Sequence, residues 1–151
     1  SVFAGALGLV CNCTHAIAVE HARFSAPEIL RGLWPFQVMA GLFRVMPRRA
    51  GLDFIMRGQA IKAGEAAQYG LINEAVKADA LDKRVDSLAA ELAVLAPNTM
   101  QQGLAAFRAQ EALLFDDALP YLKAQLLDCL QSDDAKEGIS AFLEKRQPNW
   151  Q

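Results

Sequence analysis

In the stretch FSAPEILRGLWPF, residues 24–36, a single carboxylate, Glu28, follows Pro27 and stands among Ile29, Leu30, Leu33, Trp34 and Phe36. A glutamate after proline can simply occupy the first turn of a short helix, where its charge complements the positive end of the helix dipole. That role is the commoner one. An apolar surround, however, strips water from a carboxylate and favours its neutral form, which suits a group that takes and returns a proton near neutral pH.

Three other groupings carry possible chemistry, each with a plain structural alternative. AGALG, residues 4–8, reads as the first turn of a helix. Its small residues leave room for a ligand beside amides that lack intrahelical acceptors, an arrangement able to hold an oxyanion. The same residues would also let a helix pack closely on its neighbours. CNCTH, residues 11–15, brings Cys11, Cys13 and His15 together, but only His21 and the remote Cys129 could complete a ligand set. Structural zinc sites pair two ligand clusters, so no metal is expected and small buried core residues are the better reading. In the tail SDDAKEGISAFLEKRQPNW, residues 132–150, Glu144, Lys145 and Arg146 read as a solvated helix end, or as a cationic clamp for a phosphate.

The elements that must position these groups follow from periodicity. HAIAVE and ARFSA alternate like short strands, and GLINEAV reads as a strand after Gly70, a helix C-cap. Residues 1–77 are therefore expected to be α/β in character. Residues 78–151 are expected to be helical. Asp79 is the expected N-cap of a helix whose face carries Leu81, Val85, Leu88, Leu92 and Leu95 and which ends before Pro97. Asn98 is the expected cap of the next, and LPYLKAQLLDCLQ and DAKEGISAFLEKR give two more. These helices present more apolar surface than a short α/β part can cover, which points to association between chains.

Composition narrows the function classes. The chain has 151 residues and a formal net charge of −2 from interspersed charges, which gives no footprint for nucleic acid or an anionic membrane. Three scattered cysteines make no disulfide framework, so a reducing, cytoplasmic setting is expected. The apolar start SVFAGALGLVCNC has no basic region before it and is interrupted by Asn12, Thr14 and His15, so neither a signal peptide nor a membrane span is expected. An abrupt apolar start without methionine is expected of a chain that begins inside a core.

Taken together, ARFSAPEILRGLWP, GQAIKAGEAAQYGLINEAV and SDDAKEGISAFLEKRQPNW resemble the successive signatures of the enoyl-CoA hydratase/isomerase, or crotonase, family, in order and at nearly family spacing. The resemblance implies an α/β fold, the C-terminal part of a crotonase-like ββα spiral followed by a helical oligomerisation region. It implies an acyl-CoA thioester as substrate, no separate cofactor, and a homotrimer or dimer of trimers. The family's Gly-Gly-Gly oxyanion segment falls on Ala4, Gly5 and Ala6, with Gly5 matching the glycine whose amide holds the thioester oxygen. Its two catalytic glutamates fall on Gly8 and Glu28, so only one carboxylate is present. A hydratase that holds water between two glutamates is thereby weighed against a single-glutamate isomerase, and both against a truncated subunit without activity. The family's Pro-Gly appears as Pro35-Phe36 with Trp34 before it, implying a bulkier acyl wall. Lys145 matches the tail lysine near the CoA phosphates and Phe142 the aromatic beside it. The family's earlier ββα turns, with the other oxyanion amide and the adenine surface, have no counterpart in these residues.

Overall fold

The computed structural model describes residues 1–150. The chain clusters into two compact units, Ser1–Ser87 and Leu88–Gln151.

The first unit is built from five very short strands and the helices between them. Strands β1 (Val2–Phe3), β3 (Arg23–Ser25) and β4 (Ile61–Lys62) form one sheet in the order β1-β3-β4, and β2 (Ile17–Val19) pairs with β5 (Glu74–Val76) in a second. β1 and β3 are parallel, with Val2 opposite Phe24 and Phe3 opposite Ser25. Parallel neighbours require a crossover, and helix α1 (Gly5–Cys11) lies within it. The expected strand in GLINEAV is realised only in its second half. Leu71 and Ile72 lie in a bend that buries both side chains, and the ladder begins at Glu74. Hydrophobicity there serves the core rather than a strand.

Helical spacing places the apolar residues inward. α1 buries Leu7 and Cys11, one turn apart, and α2 (Phe36–Val45) buries Val38, Gly41 and Leu42. A Cβ on Gly41 would stand 3.0 Å from Cys11 Cβ, so that glycine sets the close approach of the two helices. α3 (Arg48–Arg57) contributes Phe54 and Ile55, and α4 (Ala63–Gln68) contributes Ala63 and Ala66. Leu7, Phe24, Leu42 and Ile55 are the largest fully buried side chains. The chain leaves α4 at Gly70, as the sequence predicts: Gly70 N–H donates to Ala67 O and Leu71 N–H to Ala66 O.

Asp79 does not cap a helix. It lies in a 3-10 turn, Ala78–Ala80, that runs straight into α5 (Leu81–Ala93), because Leu81 already has helical dihedrals and no extended residue separates the two. The extended residue is Lys77, ahead of the turn.

The second unit contains α6 (Pro97–Gln110), α7 (Phe115–Gln131) and α8 (Asp133–Glu144). Asn98 also differs from expectation. Ala96 occupies the cap position and Pro97 the first helical one, which places Asn98 inside the first turn. The cap comes from another helix: Asp134 Oδ2 accepts the Thr99 N–H at 2.9 Å, and Asp134 Oδ1 accepts Asn98 Nδ2 at 3.2 Å. The Thr99 amide, above all, holds the buried Asp134 carboxyl below its ordinary range. Ser132 caps α8 by accepting the Ala135 N–H. Beyond α8 the tail is pinned by Arg146, which donates to both oxygens of Glu137 at 2.6 and 2.9 Å and to Glu144 at 2.7 Å. Asn149 N–H also donates to Glu137, and with Arg146 as the main cause its carboxyl is held down to about 2. Among the described residues no helix is long and apolar enough to cross a membrane.

Candidate functional site

Glu28 lies on a 3-10 helix, Pro27–Arg31. Pro27 supplies a fixed φ at the first position, and Gly32 ends the turn in the left-handed region at φ 71°, where a side chain would be strained. Gly32 N–H donates to Ile29 O and Leu33 N–H to Glu28 O, so the backbone on which the carboxylate stands is tied from the C-terminal side. The carboxylate is half-buried, and its Oε2 is enclosed with no hydrogen-bond partner among the described residues. A buried polar atom without a partner is costly and calls for a role, a catalytic one among them.

Glu28 belongs to the wall of a cleft of about 770 Å³ within the first unit. That is the size of a small-molecule site. Gly5 lines the cleft together with Glu28, and the remaining wall is Ile29, Gly32, Leu33, Trp34, Pro35, Phe36, Gln37 and Val38. Four of the aromatic and aliphatic neighbours expected around Glu28 are therefore in place. Leu30 is the exception: it turns away to rest near Gly58. Gly32, Gln37 and Val38 were not singled out in the sequence, although they sit in or beside the same segment. Gln37 is the polar group at the first turn of α2, a position that apolar periodicity ignores.

Gly5 is the first residue of α1, and the helix's first turn closes with the Leu7 N–H on Ala4 O at 2.9 Å. The Gly5 and Ala6 amides precede that bond, where helix geometry supplies no acceptor. Ala4 has φ 50° and ψ −127°, a conformation that L residues rarely adopt. It is held there by its own N–H, which donates to Ser25 O at 3.0 Å, and by the Leu7 bond. A Cβ added to Gly5 or to Gly8 would meet nothing within 4 Å. Close helix packing is therefore not what requires small residues in AGALG.

The other sequence-predicted residues fall elsewhere. Gly8 is further along α1 and does not line the cleft. Phe142, 82% exposed, lies near the end of α8, and Lys145 follows it with φ 55° as the helix cap. Both belong to the second unit. In CNCTH only Cys11 is a core residue, and burial pushes its thiol up to about 11. Cys13 is exposed, its Sγ bonding back to Leu9 O, and His15 is exposed as well. Both follow the end of α1, where the chain leaves the core. Among the described residues no group of three or more His, Cys, Asp or Glu side chains could hold a metal ion.

A family model described as enoyl-CoA hydratase/isomerase matches residues 1–151. Enoyl-CoA hydratase domain-containing protein 3, mitochondrial, of Rattus norvegicus is 31% identical over 142 residues, covering 94% of this chain and 47% of that protein. The 2,3-dehydroadipyl-CoA hydratase of Escherichia coli is 30% identical over 96% of this chain and 59% of its own length. A crystal structure of the enoyl-CoA hydratase of Mycobacterium smegmatis matches with a TM-score of 0.93 at 29% identity, over 99% of this chain and 58% of that one. The chain thus spans about half the length of the curated relatives it matches.

Proposed function

The chain belongs to the enoyl-CoA hydratase/isomerase family, and on that premise we propose that the protein is an enoyl-CoA hydratase-type enzyme acting on acyl-CoA thioesters in the Glu28 cleft. The observation that carries the reading is the enclosed, unpartnered Oε2 of Glu28 in a largely apolar cleft shared with the Gly5 backbone. In this reading the Gly5 amide donates to the thioester oxygen, which stabilises the negative charge as an enolate forms. Glu28 then moves the proton at the carbon skeleton. Trp34, Pro35 and Phe36 form the acyl wall. No separate cofactor is required by this chemistry, the thioester itself being the substrate. The exposed leucines of α7 and the exposed Phe107 of α6 would be covered in a homotrimer or dimer of trimers. Three free thiols suit a reducing compartment, the cytoplasm in this reading.

A second reading, single-glutamate enoyl-CoA isomerase, is favoured by one observation: the position matching the family's other glutamate is Gly8, which has no side chain. One carboxylate suffices for isomerisation. It removes the acidic proton next to the thioester carbonyl of a 3-enoyl-CoA and returns it two carbons further on, moving the double bond into conjugation. The test uses the intact gene product. Loss of the conjugated enoyl-thioester absorbance on adding a short 2-enoyl-CoA supports hydration, and appearance of that absorbance from a 3-enoyl-CoA supports isomerisation. The absence of both signals would overturn both enzymatic readings and leave a non-catalytic subunit.

A further inference from the structure

We propose that Ser25 and Gly58 form a positioning pair that sets the Glu28 turn against the cleft, an inference that rests on the acid/base reading of Glu28. Ser25 is one of the few buried polar residues, and its hydroxyl donates to Gly58 O at 3.0 Å across 33 residues of sequence. Gly58 ends α3 with φ 60°, a left-handed conformation that favours glycine. A Cβ there would stand 2.9 Å from Ile29 Cγ2 and 3.0 Å from Leu30 Cγ, the two residues that follow Glu28. Gly58 is thus the floor on which the 3-10 turn rests, and the Ser25 hydroxyl fixes the height of that floor. Neither residue lines the cleft, so neither is offered as a contact to substrate. The turn is also tied by Leu33 N–H on Glu28 O. Two constraints therefore act on the turn that carries the carboxylate, and loosening one lets the side chain shift without removing it.

Removing the hydroxyl leaves a buried carbonyl without its donor and frees the Gly58 loop to move. A misplacement of the base on the ångström scale lowers the chemical step while leaving thioester binding to other groups. The experiment measures kcat and KM for Ser25→Ala, Glu28→Gln and the double variant in the intact gene product, with the enoyl-CoA that it turns over. The expected result is a fall in kcat of about 10- to 100-fold for Ser25→Ala with KM within about twofold. In the Glu28→Gln background the same change should lower kcat no further, because the group it positions is already inactive. A Ser25→Ala enzyme with unchanged kcat, or one that loses the same factor in both backgrounds, would overturn the pair's role while leaving Glu28 as the base. A Glu28→Gln enzyme that keeps its rate would instead remove the acid/base reading itself, and the positioning role with it. Should Ser25→Ala fail to fold, Leu30→Ala trims an exposed side chain with which the turn rests on that floor and must show the same loss in kcat and the same silence in the Glu28→Gln background.

Discussion

The two units of the chain solve the problem of stability differently. Ser1–Ser87 has a closed core in which Leu7, Phe24, Leu42 and Ile55 have essentially no exposure, although Leu9, Leu33, Phe36 and Met56 stay outside it, and the cleft with its carboxylate lies in the same unit. Among the described residues of Leu88–Gln151 the buried apolar residues are three alanines, 106, 118 and 141, whereas Leu114, Leu126, Leu127, Leu130 and Phe142 face outward. Polar bonds tie this unit together at its ends. Asp134 caps α6 from α8, and Arg146, Glu137, Asn149 and Trp150 fasten the tail. A unit with large side chains packed into a closed core can hold a reactive group in a fixed place. One whose buried apolar residues are alanines leaves its leucines available to a partner.

The sharpest break in this comparison comes from truncating one leucine in each unit. Leu42→Ala should cost about 2–5 kcal/mol, since it opens a cavity in a closed core, and the loss is read in chemical denaturation. Leu127, 51% exposed, should behave oppositely. Leu127→Glu is expected to leave the unfolding of a dilute protomer within about 0.5 kcal/mol and to shift light scattering toward smaller species. Equal destabilisation by the two changes would erase the distinction.

Next in size is the polar tie. Asp134→Ala removes the carboxylate that meets the Thr99 amide and should lower the melting of the second unit by about a few degrees, with the first unit's core signals unchanged. Ala4→Gly tests the strain stored in the first unit. Relief of the positive φ outweighs the added freedom of the unfolded glycine, so a gain of about 1 kcal/mol is expected in denaturant titration. The smallest effect is that of pH on the tail. Glu137 is held down to about 2 from 4.5, so its contribution is present above the higher value and fades as pH falls from about 4.5 towards 2. Amide exchange around Asn149 should quicken over that window and stay unchanged in Glu137→Gln.

The same contrast explains what the sequence made legible. Local signals were readable in part: the proline-led turn at Glu28, the left-handed Gly70 after α4 and the existence of the later helices appear where the sequence put them, whereas α5 ends at Ala93 and leaves Leu95 of its expected face outside the helix. The resemblance of three motifs to one family carried the fold class, because those motifs mark successive pieces of one architecture. Long-range polar partners were not readable. Nothing near Asn98 indicates that Asp134, 36 residues later, takes over its cap, and nothing near Ser25 points to Gly58. Cys13 was misjudged for a related reason: composition alone shows that a thiol tolerates burial, but only the end of α1 decides that the chain there turns outward. Within the cleft, Gln37 escaped notice because a glutamine on a helix's first turn has no periodic signature.

The central claim is that Glu28 is a proton-transfer group rather than a helix-start carboxylate, and Glu28→Gln tests it most directly. The amide keeps the shape and the turn but cannot accept or return a proton. In the intact gene product, kcat with the enoyl-CoA substrate is expected to fall by about 10²–10⁴-fold while KM changes little, since the thioester oxygen is assigned to the Gly5 backbone. If the glutamate served only the helix dipole, the substitution would remove about 0.3–1 kcal/mol of stability and spare the rate. A Glu28→Gln protein that retains most of its hydratase and isomerase turnover would contradict the account.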